Sequence, residues 1–332
     1  MATGILPQDA GFVRTNLGNE QAVCSVPVRA YARVAGIPRL CEGRLCLRFE
    51  GETPSTQTPH GVATNKANLT GGTGAATMPA RMKILLTNDD GIFAPGLAAV
   101  FKRLVTLGDV TVVAPMDVRS GTSHSVTFFE PLACCKVDVN GQFSGFGVRG
   151  SPADCVKLAC MQLHDGPIDL VVSGINHGAN AGINVYYSGT VAAAMEAAFL
   201  RIPSVALSVM SEPQMDFERA ADYSVAVLKK LLPLHSGDVI NVNLPLLSRG
   251  EPRGVRVVPQ ATAGFHESYV PQDNGGGEML FQLAYGDHRE EQIATDTTSL
   301  AEGYITVTAL LPDMTDHGKT LALKTRFNGE LP

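Results

Sequence analysis

The sequence predicts an α/β domain of three layers, in which a mostly parallel β-sheet lies between two layers of helices. Two observations lead to this prediction. Apolar runs of strand length recur from Met82 onward, and segments with helical spacing alternate with them. Strands that are buried on both faces are almost continuously apolar, and helices between them are typical of βαβ units.

The predicted elements follow in a regular order up to residue 250. The helix expected at Ser151–Leu163 has the clearest start, because Ser151 is a suitable N-cap, Pro152 fits the first turn and Asp154 makes an imperfect capping box. The other assignments depend on apolar periodicity. They are strands at Lys83–Asn88, Asp109–Pro115, Ile168–Ser173, Ser204–Met210 and Val239–Leu244, and helices at Gly96–Leu107, Thr190–Leu200 and Phe217–Leu232.

The pattern changes after residue 250. Candidate strands at Arg256–Pro259, Met279–Tyr285 and Tyr304–Leu310 follow one another without clear helices between them, which predicts a smaller, mostly β appendage built from hairpins. We expect residues 82–250 to form the α/β core. Residues 251–332 are expected to form a β-rich arm and a C-terminal oligomerisation segment of the same domain.

The first 80 residues have a different composition. Residues 51–80 are mostly Gly, Thr, Pro, Ala and Asn, which bury too little apolar surface to offset their ordering entropy, so we expect disorder. Residues 39–49 can form a short strand. The first 34 residues hold three arginines and two acidic residues. The extension is therefore a transit peptide for a plastid or mitochondrion, a linker, or upstream sequence that is not translated.

Composition excludes two classes of partner. The net charge is −6 and no basic cluster with interleaved aromatic residues occurs, which argues against a nucleic-acid polymer. No apolar stretch approaches the roughly 20 residues that cross a bilayer, which argues against a membrane. The seven cysteines form no CxxC pair, so we expect reduced thiols and a cytoplasmic location.

The loop after the first strand holds two adjacent carboxylates, Asp89 and Asp90. Open α/β sheets bind ligands beyond the carboxyl ends of their strands, so this loop is a candidate site. Each carboxylate disfavours ionisation of the other, and a hard cation such as Mg²⁺ or Mn²⁺ relieves that cost. The alternative is an ordinary turn, since Asn-Asp-Asp-Gly has good turn chemistry.

Polar residues also follow the later strands. Ser120 lies in a loop of hydroxyl and small residues, whereas Asn176 and Asn180 lie in a glycine-containing loop that lets a ligand approach the backbone. Ser188 and Thr190 open a helix, whose free N–H groups can bind an anion, although an ordinary N-cap explains them equally well. Together these loops indicate a metal and a phosphate cradle, without an obvious protein nucleophile.

Several of these segments also resemble one family, the survival protein SurE nucleotidases, from about Met82 to about residue 316. The first 80 residues have no counterpart in the short bacterial members, and the C-terminus is abbreviated. The similar segments are Lys83–Ile92 with Ala94–Gly96, Val113–Pro115, Arg119–Gly121, Val172–Asn176, Tyr187–Glu196, Asn241–Pro245, Thr295–Asp296 and Glu302–Tyr304.

The resemblance implies a Rossmann-like domain with a protruding β-hairpin arm, assembled as a homodimer or homotetramer. It implies metal-dependent release of phosphate from nucleoside 5′- and 3′-monophosphates, and in some members from short polyphosphate. One Mg²⁺ or Mn²⁺ per subunit is expected. Carried over by position, the metal ligands are Asp89, Asp90, Ser120 and Asn176, and the phosphate-binding residues are Asn180, Ser188, Gly189 and Thr190.

The mechanism expected is attack by a water that the metal has acidified. Asp89 is the better candidate to orient or deprotonate that water, Asp90 is mainly a ligand, and Asn180 is the second catalytic residue. Two alternatives remain open. One is an aspartyl nucleophile, although such phosphatases commonly use D-x-D rather than consecutive carboxylates. The other is a non-catalytic nucleotide or phosphate sensor. No G-x-G-x-x-G follows the first strand, which argues against a dinucleotide oxidoreductase.

Overall fold

The computed structural model describes residues 81–262, 265–272, 279–288, 293–327 and 329, and a large sheet runs through this part of the chain. The strands are β1 Met82–Thr87, β2 Gly108–Pro115, β3 Cys134–Val139, β4 Phe143–Val148, β5 Leu170–His177, β6 Ser204–Val209, β7 Val239–Leu244, β8 Val255–Val257, β9 Phe265–Gln272, β10 Leu280–His288 and β11 Ile305–Leu310. The helices are α1 Pro95–Leu104, α2 Pro152–Leu158, α3 Gly189–Phe199, α4 Phe217–Leu231, α5 Asp296–Ala301 and α6 His317–Phe327.

The order of the strands places the functional end of the sheet. Nine strands pair in the order β3-β4-β2-β1-β5-β6-β7-β11-β8, and those from β4 to β7 are parallel. β3 and β11 run antiparallel to β4 and β7. β1 pairs with β2 on one side and with β5 on the other. The chain therefore adds strands first on one side of β1 and later on the opposite side. The carboxyl ends of β1 and β5 are therefore the topological switch point of the sheet.

Apolar side chains of the central strands point to both faces. Ile84 and Leu86 pack among residues of α1 and α4, whereas Leu85 packs among residues of α2 and α3. All three are fully buried. Alternation along a strand gives each face its own side chains, so a strand covered on both faces has to be apolar throughout. The predicted α/β class is confirmed.

The predicted start of α2 at Ser151 is also confirmed. Ser151 Oγ accepts from the Asp154 N–H at 3.0 Å, and an Asp154 carboxylate oxygen accepts from the Ser151 N–H at 2.9 Å. The capping box is therefore complete, with Pro152 in the first turn. The last part of the predicted helix, Ala159–Leu163, continues as a π-helical turn.

Two parts of the fold differ from the prediction. The β3–β4 hairpin was not predicted, because Gly145 and Gly147 weaken the strand signal of β4. A Cβ at Gly145 would lie 3.0 Å from both the Cβ and the carbonyl oxygen of Val112, so β4 packs closely against β2 there. The expectation of no helix between the last strands was wrong. The six-residue α5 lies there, capped by Thr295, and is too short and polar to give a periodic signal.

β5 continues four residues beyond the predicted strand. The pairing with β6 shifts register between Ser173 and Asn176, and the strand then runs to His177. Position 174 has to be glycine for this pairing, because a Cβ there would lie 2.2 Å from the Leu207 carbonyl oxygen. Asn176 was expected in a loop but lies near the end of β5, which holds its side chain at the carboxyl end of the parallel strands.

The C-terminal part of the chain contributes to two sheets. β8 and β11 extend the main sheet, whereas β9 and β10 form a separate antiparallel hairpin, the arm, which confirms the appendage predicted by resemblance. Within the described part of the chain, no helix has the length and apolarity needed to cross a membrane. The strand predicted at 39–49 and the disorder predicted at 51–80 lie outside the described residues.

Candidate active site

The carboxylate of Asp89 lies at the carboxyl end of β1, and only 3% of the residue is exposed. Its backbone carbonyl accepts from the Arg119 N–H at 2.7 Å, which ties the loop after β2 to the loop after β1. Asn88, directly before it, donates from its side chain to the Gly91 carbonyl at 2.9 Å. The turn is therefore closed by its own side chains, and the position of Asp89 is fixed by two loops.

Thr190 is the main partner of this carboxylate. Its hydroxyl donates to Asp89 Oδ1 at 2.5 Å, from the first turn of α3. Burial raises the pKa of Asp89 from its usual 3.8 to about 6, the hydroxyl and backbone N–H of Thr190 act in the opposite direction, and the charge of Asp90 adds to the rise. The positive end of α3 therefore faces Asp89 itself. Thr190 was predicted to bind phosphate, but the structure places it against this carboxylate.

Gly189 allows α3 to come this close to Asp89. A Cβ on Gly189 would lie 2.8 Å from the Asp89 Cβ and 3.1 Å from Oδ2, distances that side chains do not tolerate. The residue was predicted as a phosphate-binding position. Its place in the structure gives it a second role, the close approach of a helix terminus to a buried carboxylate.

Asp90 contacts the neighbouring strand. Its Oδ2 accepts from the His177 N–H at 2.9 Å, so the loop after β1 is joined to the end of β5. Partial burial raises the pKa of Asp90, although this hydrogen bond and the His177 side chain favour the charged form. His177 itself is exposed and its ring meets Phe217 edge-on.

Asn176 presents an oxygen at the same edge. Its amide nitrogen donates to the Gly178 carbonyl at 2.6 Å, and the residue is 8% exposed. With the nitrogen engaged, Oδ1 is the side-chain atom available to a ligand. Ser120, from the loop after β2, is exposed on the opposite side of the same opening.

Asn180 is held from two sides by β7. Its backbone N–H donates to Asn243 Oδ1 at 2.7 Å, and its carbonyl accepts from Asn241 and Asn243 at 2.8 and 3.2 Å. Its amide nitrogen donates to Ser208 Oγ at 2.9 Å. The sequence offered a signal for these supports, because two asparagines alternate in an otherwise apolar strand and must share one face.

Ser188 is the N-cap of α3. Its Oγ accepts from the Val191 N–H at 3.1 Å, and the residue is 5% exposed. That bond uses a lone pair of the hydroxyl and leaves its proton for a ligand. Both the N-cap and the phosphate interpretations of this residue are therefore compatible.

A cleft of about 900 Å³ opens over these residues. The predicted site residues on its wall are Asp89, Ser120, Asn176, Asn180 and Ser188, whereas Asp90, Gly189 and Thr190 lie outside the lining. Sequence reasoning assigned no role to several other wall residues. These are Asn184 and Tyr187 before α3, and Ser268, Tyr269 and Leu283 from the arm.

The oxygen atoms around Asp89 fit a hard divalent cation. Two carboxylates, one amide oxygen and one hydroxyl are ligands of the kind that Mg²⁺ and Mn²⁺ prefer. Among the residues that the structure describes, no lysine or arginine forms an ion pair with Asp89 or Asp90. Burial raises the pKa of both carboxyls, so their charged forms are costly without a partner. A cation would compensate it.

Fold and site together define a Rossmann-like α/β protein whose ligand cleft lies at the switch point, with the buried carboxylate of Asp89 facing the start of a helix. Comparison with known proteins narrows this class. The sequence model described as survival protein SurE matches residues 84–267. The chain belongs to the SurE family.

Individual relatives agree with this assignment. The chain is 44% identical over 233 residues to a protein of Rhodopirellula baltica named 5′-nucleotidase SurE, covering 69% of this chain and 92% of the relative. It is 41% identical over 239 residues to one of the same name from Syntrophobacter fumaroxidans, covering 71% and 96%. The crystal structure of the SurE protein from Aquifex aeolicus superposes with a TM-score of 0.64 at 37% identity, covering 74% of this chain and 99% of that one.

Proposed function

We propose that this protein is a divalent-metal-dependent phosphatase that hydrolyses nucleoside 5′-monophosphates to nucleoside and phosphate. The observation that carries the proposal is the buried Asp89 carboxylate against the start of α3, within a cleft that also presents Ser188, Asn176 and Asn180. The names of the relatives give the substrate class. We extend the proposal to 3′-monophosphates and short polyphosphate, which present the same phosphoryl group.

One Mg²⁺ or Mn²⁺ per subunit would be held by Asp89, Asp90, Ser120 and Asn176. When bound, such an ion offsets charge on phosphate oxygens and acidifies water. Oδ1 of Asp89 already accepts from Thr190, so Oδ2 is the atom left to take a proton from the attacking water.

The phosphoryl group is bound by neutral donors in this proposal. Ser188 offers its hydroxyl proton, and the amide of Asn180 offers the N–H that Ser208 does not use. Asn180 is the residue that would stabilise charge developing on the phosphoryl oxygens, because its position is fixed by four hydrogen bonds. Thr190 acts indirectly, because its hydroxyl donates a hydrogen bond to Asp89. Gly189 also acts indirectly, because the absence of a Cβ leaves room for the Asp89 side chain.

We also propose that the protein works as a homodimer or homotetramer. None of the residues of α6 is buried, and its Leu321 and Phe327 are 66% and 60% exposed. Leu311 and Met314, just before that helix, are 80% and 84% exposed and line an apolar cavity of about 590 Å³ beside α3. A second subunit would cover this surface. Light scattering at micromolar concentration should return at least twice the monomer mass, and a monomer mass would contradict the proposal.

A cytoplasmic location is part of the same proposal. Burial raises the pKa of the Cys160 thiol to about 11 and also raises the pKa of the Cys155 thiol, so both remain protonated at neutral pH. Buried thiols of this kind suit a reducing compartment. A plastid or mitochondrial location is the alternative if residues 1–80 act as a transit peptide.

The direct test is phosphate release from a panel of nucleoside monophosphates by the full-length protein. We expect turnover with Mn²⁺ or Mg²⁺, its loss on adding EDTA, and its return when the ion is added back in excess. Turnover that persists in EDTA would overturn the metal-dependent mechanism. Nucleotide binding without turnover at any metal concentration would favour a sensor.

A further inference from the structure

The two walls of the cleft differ in chemistry. The wall at the carboxyl end of the sheet is polar and mostly buried, whereas Tyr269 and Leu283 of the arm form an apolar outer wall, and Tyr187, just before α3, adds a second aromatic ring. The two tyrosines are 54% and 67% exposed. Large apolar side chains this exposed beside a ligand cleft are a surface that a ligand can cover.

The pairing of the arm places two of these residues on one face. Tyr269 of β9 and Leu283 of β10 are directly opposite each other, so both side chains leave the hairpin on the side of the cleft. The neighbouring pair, Val270 and Gln282, alternates to the other face and is absent from the lining. The arm therefore presents a defined apolar face to the cleft.

Tyr187, the third of these residues, relates this surface to the proposed phosphate-binding residue. Tyr187 directly precedes Ser188, whose hydroxyl we assign to the phosphoryl group, and both residues line the cleft. A phosphate bound at Ser188 leaves the rest of the substrate to extend along the cleft toward the arm. A volume of about 900 Å³ accommodates a small organic ligand rather than a phosphate ion alone.

We propose that the arm forms the base subsite of the cleft, in which the nucleobase packs between the rings of Tyr187 and Tyr269. The inference rests on the proposed nucleotidase activity and adds the residues that recognise the nucleoside. Tyr269 and Leu283 present a ring and an apolar side chain on one face of the arm, and such groups pack against the flat face of a base. Every base has such a face, and stacking tolerates them all. The enzyme should accept purine and pyrimidine nucleotides alike.

The test compares a nucleotide with its base-free counterpart, ribose 5-phosphate, in the full-length protein. Tyr269→Ala should lower kcat/KM for adenosine 5′-monophosphate by about tenfold, mainly through KM, in line with the loss of one stacked ring. Its kcat/KM for ribose 5-phosphate should stay within about twofold of the original. Tyr269→Phe should keep the original values with both substrates. Val270→Ala, the adjacent change on the other face, is the matched control and should leave both substrates unaffected.

Two further variants address the inner ring. Tyr187→Ala should repeat the loss that is selective for the nucleotide. Tyr186→Ala should not, because Tyr186 lines the apolar cavity beside α3 and not this cleft. Equal losses with both substrates, or none with either, would overturn the base subsite.

Calorimetric binding separates failure of the inference from failure of the proposed function. If the unaltered protein releases no phosphate from either substrate, the nucleotidase proposal fails. The base subsite is then decided by affinity alone. Tighter binding of adenosine 5′-monophosphate than of ribose 5-phosphate, lost in Tyr269→Ala, supports the subsite. Equal affinities for the two ligands overturn it.

Discussion

The sheet edge and the arm face the same cleft but are held in different ways. At the sheet edge, Asp89, Asn180 and Ser188 are 3%, 8% and 5% exposed, and each hydrogen-bonds to another element or caps a helix. In the arm, Tyr269 and Phe281 are 67% and 55% exposed, and β9 and β10 pair only with each other within the described residues. Positions that must be accurate lie on the rigid scaffold, whereas the surface that has to accept different ligands lies on the arm.

The largest expected effect comes from Asp89→Asn, which tests the rigid side of this comparison. Asparagine keeps the size of the side chain and an oxygen for the Thr190 hydroxyl, but it removes a negative ligand and the proposed base. Turnover at saturating Mn²⁺ should fall by about a thousandfold or more. Asp165→Asn, at an exposed loop position, is the control and should retain full turnover. A folded Asp89→Asn protein with near-normal turnover that EDTA does not reduce would contradict the metal-dependent mechanism.

The second effect concerns the stability of the metal-free protein. The pKa of Asp89 is about 6 in the folded protein and 3.8 for an ordinary aspartate, so folding favours the protonated form. Below about pH 4 the carboxyl is protonated in both states and costs nothing. As the pH rises from about 4 to about 6, stability should fall by about 3 kcal/mol, which follows from about 1.4 kcal/mol for each pKa unit, and the loss is complete above about pH 6.

Chemical unfolding in EDTA between pH 4 and pH 8 measures this loss. The difference between the original protein and Asp89→Asn removes the titrations that the two proteins share and leaves the contribution of Asp89, including its repulsion of Asp90. The variant should be the more stable of the two at pH 8, and the two should converge near pH 4. Parallel curves over the whole range would contradict the assigned cost of burying Asp89. Excess Mn²⁺ should restore stability to the original protein and much less to the variant.

The smallest of the three effects is expected from Ser188→Ala. The change removes one hydroxyl donor and the N-cap, but the backbone N–H groups of α3 remain. We expect kcat/KM to fall by roughly tenfold to a few hundredfold, in line with one charge-assisted hydrogen bond of about 1.5–3 kcal/mol. Ser151→Ala, which removes the cap of α2 away from the cleft, should lower the melting temperature without a comparable kinetic loss. Unchanged kinetics in Ser188→Ala would reduce the residue to a structural cap.

The same comparison explains what the sequence could predict. A run of apolar residues identifies the central strands, because burial on both faces imposes it on Ile84, Leu85 and Leu86 of β1. Adjacent carboxylates identify the turn at Asp89 and Asp90, because the chemistry is local. The bond between Thr190 and Asp89 joins residues 101 positions apart, and no local pattern distinguishes it from a phosphate contact. The role of Tyr269 depends on where the arm lies, and no strand was predicted at β9.

Gly189 also decides which genetic changes this chain can accept. Every single-base change of a glycine codon that alters the amino acid introduces a Cβ, and at this position that atom would meet the Asp89 Cβ at 2.8 Å. Only synonymous changes at codon 189 should therefore persist under selection for activity. Codon 270, in contrast, specifies a half-exposed valine on the outer face of the arm and should drift freely among residues compatible with a strand.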